Sequence, residues 1–113
     1  MSKTPDFYIE DMRRAIGHIE EDISDLDVAT FAADRRARQL VERNLEIISE
    51  ASRRLPEQLK ESTPEIPWKE IAGIGNILRH DYHDSRPDIL WNTCKLDLPP
   101  LKEVLMRFLA HQE

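Results

Sequence analysis

From Gly73 to Tyr82 the chain reads Gly-Ile-Gly-Asn-Ile-Leu-Arg-His-Asp-Tyr, which gathers an amide, a guanidinium, an imidazole, a carboxylate and a phenol. On a helix, Asn76 and His80 stand four apart and share a face. Arg79 follows Gly75 by one turn, and helical side chains lean towards the N-terminus. Its guanidinium can therefore reach back over the bare patch that Gly75 leaves. This set suits metal-free cleavage of RNA, in which a ribose 2′-hydroxyl attacks the adjacent phosphate. Such a reaction needs a base, an acid and a cation for the phosphorane's charge. Histidine titrates near neutrality and serves as either base or acid, worth roughly 10²- to 10⁴-fold. Arginine matches phosphate oxygens with a planar fork, and an asparagine amide can orient the imidazole or the substrate. One chain supplies a single well-placed histidine. A symmetric dimer would bring two into one cleft. Gly73 and Gly75 each cost a helix about 1 kcal/mol relative to alanine. The compensation expected for them is close backbone approach between helices at such a contact.

Each of these residues also has a plainer reading. His80 can be a satisfied structural histidine, although Asn76 one turn earlier and its charged neighbours Arg79 and Asp81 favour chemistry. His80 and His83 could share a metal with Asp81 or Asp84, but two histidines and loose carboxylates fit a solvated helix end better. No cofactor is called for. Arg86 can neutralise neighbouring aspartates or, facing the cleft with His83, contact RNA phosphate. Tyr82 can cap the core with its ring. Cys94 sits among apolar neighbours and reads as a buried, inert thiol. Trp68 and Trp91 read as core or interface residues, and Glu20-Glu21-Asp22 as a solvated face.

Helices are the elements that must position this segment. Thr4-Pro5-Asp6 reads as a helix start. Phe7, Ile9, Met12, Ile16, Ile19, Ile23 and Leu26 follow at three- and four-residue steps, up to a loop spanning Asp25 to Thr30. A second helix, starting between Thr30 and Asp34, carries the stripe Ala37, Leu40, Val41, Leu45, Ile48, Ala51 and Leu55. Asn44 lies beside that stripe as a polar group that needs a partner. Thr63-Pro64-Glu65-Ile66-Pro67 breaks the chain. Pro67 opens a third helix through Trp68, Ile71, Ile74, Ile77 and Leu78 to about Tyr82. Pro87 opens a short fourth helix with Ile89, Leu90 and Trp91. Leu98-Pro99-Pro100 is expected to separate it from a last helix carrying Leu101, Val104, Leu105, Phe108 and Leu109. The fold class is all-α, an antiparallel bundle of four to five helices.

Composition narrows the rest. The 113 residues, 40% hydrophobic and 34% charged, make a single domain with one core. Three glycines leave few tight turns for a hairpin-rich β fold. A net charge of −6 argues against broad, nonspecific nucleic-acid binding, so any RNA contact must be a concentrated patch. One cysteine allows no internal disulfide, which suggests a reducing compartment. No apolar stretch approaches a membrane span, and no signal peptide is visible, so a cytoplasmic protein without membrane contact is expected.

Four stretches of the chain resemble a known family: Arg43-Asn44-Leu45-Glu46-Ile47-Ile48, Pro64-Glu65-Ile66-Pro67-Trp68, the Gly-x-x-Asn…His-x-Tyr run, and Ile89-Leu90-Trp91 followed by Asp97-Leu98-Pro99. In order and at compatible spacing over nearly the whole chain, they are similar to the HepT-like branch of the HEPN-domain proteins. The resemblance implies that residues 1–113 form one HEPN domain. It implies a dimeric ribonuclease toxin of a prokaryotic toxin–antitoxin pair, with an R-x4-6-H site at the dimer interface. It further implies a minimal nucleotidyltransferase (MNT) antitoxin as partner, which places AMP on the tyrosine of H-x-Y. The family's histidine falls on His80, its asparagine on Asn76 and its tyrosine on Tyr82. An AMP on Tyr82 would set bulk and a negative phosphate where RNA phosphate should bind. The family's arginine falls on Gly75, a departure from the pattern. Two alternatives follow: Arg79 supplies the cation, or the chain is a weakened or inactive homologue that serves as a binding partner of a nucleotidyltransferase.

Overall fold

The structure, a computed structural model, describes residues 4–80 and 86–110, and of Arg79 and His80 the backbone alone. Helix α1 (Pro5–Ile23) starts where expected, with proline in its first turn and Asp6 beside the positive end of the dipole. Its buried side chains are Ile9, Met12, Ala15, Ile16, Ile19 and Ile23. Phe7, expected on the same face, is instead 41% exposed.

The segment assigned to a loop holds a short helix, α2 (Val28–Ala33). A capping box makes it: the Thr30 amide donates to Asp27 Oδ1 at 2.8 Å, and the Asp27 amide donates to Thr30 Oγ1 at 2.9 Å. It drives Phe31 fully into the core. Asp34 then caps α3 (Arg35–Ser52) by accepting from the Ala37 amide at 3.0 Å. Val41, Leu45 and Ile48 define the buried face of α3. Leu40 lies about 100° round the helix from Val41 and is exposed, against expectation. Asn44 is buried and finds its partner one turn back, Nδ2 donating to the Leu40 carbonyl at 2.9 Å.

After the short α4 (Glu57–Glu61), Pro67 leads into α5 (Trp68–His80). The Trp68 indole donates to Thr63 Oγ1 at 3.1 Å and locks the entry of this helix. Ile71, Gly75 and Leu78 are buried, whereas Ile77, expected in the stripe, lies on another side and is 60% exposed.

Pro87 opens α6 (Pro87–Asn92), but Leu98-Pro99-Pro100 does not interrupt the helix that follows. A π-helical turn, Thr93–Asp97, joins α6 directly to α7 (Leu98–Ala110), and the Leu98 amide donates to the Thr93 carbonyl. Pro99 and Pro100 have no N–H for the carbonyls of Lys95 and Leu96, and their rings would press on those carbonyls. A wider turn accommodates both prolines without ending the helix.

Helix α3 is central: it packs on α1, α2, α5 and α6, while α7 covers α1 and α2 leans on α6. No strand occurs among the described residues. Met12, Ile16, Phe31, Leu45, Ile48, Leu101 and Leu105 are among the side chains wholly removed from solvent. Each such aliphatic or aromatic side chain contributes about 1.5–3 kcal/mol. The result is the all-α bundle that the sequence predicts, with α5 held on one flank of α3. Glu20 of the acidic stretch pairs with Lys102 of α7 at 2.9 Å on the surface.

Candidate active site on the fifth helix

The two glycines of α5 have different surroundings. Gly75 is buried, and its amide donates to Ser49 Oγ of α3 at 3.1 Å. The same hydroxyl donates to the Ala72 carbonyl at 2.8 Å. One serine thus stitches the two helices together at Gly75. Gly73 is the opposite case, since a Cβ built on it would meet no atom within 4 Å. Among the described residues nothing requires its missing side chain.

Gly73 instead borders a groove of about 510 Å³ between α5 and the helix from α6 through the π-turn. Glu70, Ile74 and Asn76 line it from one side, and Leu90, Thr93 and Asp97 from the other. Asn76 is exposed there, one turn before His80. Burial, and secondarily the charge of Glu70, hold the Asp97 carboxyl above its ordinary value. Thr93 Oγ1 is turned to the Ile89 carbonyl at 2.9 Å.

Arg79 and His80 form the last turn of α5, on the same helix that borders this groove. Tyr82 and His83, named from the sequence, lie outside the described residues, as do Asp81 and Asp84. Arg86 stands before α6, where its guanidinium donates to Asp88 at 2.9 Å and lowers that carboxyl's pKa. Such an exposed pair is weak, so the guanidinium can be drawn to a phosphate at little cost. Among the described residues, no three His, Cys, Asp or Glu side chains cluster closely enough to hold a metal ion. Cys94 is buried, and burial pushes its thiol up to about 12.

A second groove of about 480 Å³ runs between α1 and α3 and contains Arg43, Arg53 and Arg54. Each of these arginines faces a glutamate: Arg43 lies 3.9 Å from Glu46, and Arg53 and Arg54 each lie 3.2 Å from Glu50. Its charge is balanced, which makes it a poor phosphate site.

Sequence reasoning missed Ser49, Glu70, Thr93 and Asp97 as neighbours of this site. No periodicity or spacing could have paired Asp97 with Asn76, because only tertiary packing sets the π-turn beside α5.

The profile of the family described as "Ribonuclease HepT-like" matches residues 12–108. The chain belongs to the HepT-like ribonuclease family. Its relatives include "Probable ribonuclease HepT" of Thermococcus cleftensis, 39% identical over 102 residues, covering 90% of this chain and 93% of that one. A "Putative RNase" of Methanocaldococcus jannaschii is 35% identical over 96 residues, 85% of this chain and 88% of its own. Another, from Caldanaerobacter subterraneus, is 31% identical over 111 residues, 98% of this chain and 99% of its own. No solved structure matches the chain. Membership in the HepT-like family supports ribonuclease activity in general and RNA as the substrate class. None of the described helices is long and apolar enough to cross a membrane.

Proposed function

We propose that this chain is the toxin of a prokaryotic toxin–antitoxin pair, a metal-independent endoribonuclease that acts in the cytoplasm as a homodimer. The observation that carries this reading is the family match running through α5, the helix that exposes Asn76 beside an open groove and ends on Arg79 and His80. The 60% exposure of Ile77 on the same helix supports pairing through this surface.

In the shared cleft, His80 of one subunit takes the proton from the ribose 2′-hydroxyl as its oxygen attacks the phosphorus. His80 of the other subunit protonates the departing 5′-oxygen, leaving a 2′,3′-cyclic phosphate. Arg79 holds the charge that builds on the phosphorane oxygens, replacing the arginine absent at Gly75. Asn76 orients the imidazole or the phosphate, and Arg86 and His83 add contacts along the RNA. A minimal nucleotidyltransferase antitoxin silences the site by transferring AMP to Tyr82. The test is incubation of the purified protein with total RNA in EDTA beside His80→Ala. Cleavage by the natural chain, reduced at least about 10²-fold in the variant, is expected. Equal cleavage by both, or none by either at high enzyme, removes the catalytic assignment.

One observation favours a second reading. Gly75 offers no side chain to a cleft and its amide is occupied by Ser49. On that reading the chain is an inactive homologue that binds a nucleotidyltransferase and presents Tyr82. Coexpression with such an enzyme, followed by mass spectrometry, separates the two. AMP on Tyr82 in a protein that leaves RNA intact when unmodified selects the second.

A further inference from the structure

Gly73 lowers the helix propensity of α5, yet among the described residues no atom lies within 4 Å of a Cβ built there. What that backbone leaves open is part of the groove, whose volume of about 510 Å³ lies within the range of about 300–1,000 Å³ usual for small-molecule sites. Ile74 and Leu90 give it apolar walls, and polar groups converge from two elements, Glu70 and Asn76 on α5 and Asp97 on the π-turn. Among the described residues no donor bonds to the half-buried Asp97 carboxylate, and its neighbour Glu70 repels it, while Lys69 of α5 lines the same groove. The groove therefore suits a flat ligand that sets N–H donors against Asp97 between apolar walls.

We propose that this groove is a nucleobase subsite that takes a guanine of single-stranded RNA, with Asp97 accepting from the Watson–Crick edge and Asn76 completing the contact. A carboxylate accepts from exocyclic amino groups of bases, and two parallel N–H bonds onto its two oxygens are the strong form of that contact. Guanine presents two adjacent donors, N1–H and N2–H. Uracil sets a carbonyl on either side of its single N–H, and these would face the carboxylates of Asp97 and Glu70. Bases of unpaired RNA are read in this way, on their edges and between apolar side chains. The flat face of the ring lies over Gly73, where a side chain would obstruct it. The inference rests on RNA being the substrate, and it adds a base preference to the site on α5.

The test uses the full chain and 2′-O-methyl oligonucleotides, which lack the attacking hydroxyl and stay intact. Fluorescence anisotropy is measured with UUGUU and UUUUU. Wild type binds UUGUU at least about tenfold more tightly. Asp97→Asn brings the ratio below about threefold, because guanine loses its acceptor and uracil no longer meets that carboxylate. Gly73→Leu, which fills the floor, has the same effect on the ratio, and circular dichroism verifies that both variants fold. A ratio near one in wild type, or a ratio unchanged in both variants, overturns the subsite. A ratio near one in a dimer that Ile77→Asp splits into monomers gives the groove to a second copy and likewise overturns it. Selectivity for guanine in a protein that cleaves no RNA upholds the subsite and removes the enzyme. Cleavage without base selectivity does the reverse.

Discussion

Ser49 and Gly75 meet across the α3–α5 contact at 3.1 Å, where the serine hydroxyl accepts from the glycine amide while donating to the Ala72 carbonyl. Ser49 is wholly buried, so this polar bridge works in a medium where hydrogen bonds count fully. Ser49→Ala removes both bonds and is expected to cost about 1–2 kcal/mol. Urea denaturation reads this as a lower midpoint with an unchanged slope. If the bridge positions α5 for chemistry, cleavage also falls in the folded variant.

Gly73→Ala should do the opposite. Its Cβ enters open space on a helix, so the variant gains about 0.5–1 kcal/mol from propensity and from a less mobile unfolded chain. A higher urea midpoint checks it. A destabilised Gly73→Ala would mean that something approaches this backbone after all.

Asp97 predicts a pH dependence of stability. Its carboxyl is raised in the folded state by burial and by Glu70, so the folded protein holds that proton longer than the unfolded chain. Stability from this group is therefore present below the ordinary carboxylate range and is lost as pH rises through the raised value. Asp97→Asn is expected to melt higher than wild type at pH 7, with the gap closing as the medium is acidified below about 4. Melting curves recorded across that range measure it.

Cys94 should be silent. With its thiol pushed up to about 12 by burial, only about one molecule in 10⁴ carries a thiolate at pH 8. Ellman's reagent should therefore label the native protein far more slowly than the urea-unfolded chain. Fast labelling of the native state would contradict the burial.

Arg79 carries the cationic role in the proposed mechanism. Arg79→Ala is expected to lower kcat about 10²- to 10³-fold, the usual loss when a preorganised charge-stabilising group is removed. Arg79→Lys should recover only part, since an ammonium lacks the bidentate fork. Single-turnover cleavage of a labelled RNA gives both values. Unchanged turnover in Arg79→Ala would assign the cation elsewhere.

Much of the architecture was legible from local chemistry. Pro5 marked the start of α1 and Pro67 the entry to α5, because a ring that fixes φ and lacks an N–H suits a first helical turn. The three- and four-residue steps of Ile9, Met12, Ile16 and Ile19 named a buried face, and the structure buries them. Asn44, a polar group beside the stripe, needs a partner and has one. Leu40, Ile77 and Phe7 fit the stripes by spacing yet are exposed, because hydrophobicity alone does not say where an apolar stripe ends. That edge is set by which helix packs opposite.

The sequence by itself determined the all-α class, the family, and the concentration of Asn76, Arg79 and His80 on one short segment. All of these follow from patterns local to the chain or spread along it in order. Only the tertiary structure decided that Gly75 faces Ser49 while Gly73 faces open space, although both read alike as helical glycines. It also decided that Pro99 and Pro100 widen a helix instead of breaking it, and that the widened turn brings Asp97 to the groove of Asn76. The physical reason is the same in each case. Propensity and spacing act within a few residues, whereas the distance between two helices depends on side chains that meet only after the chain has folded.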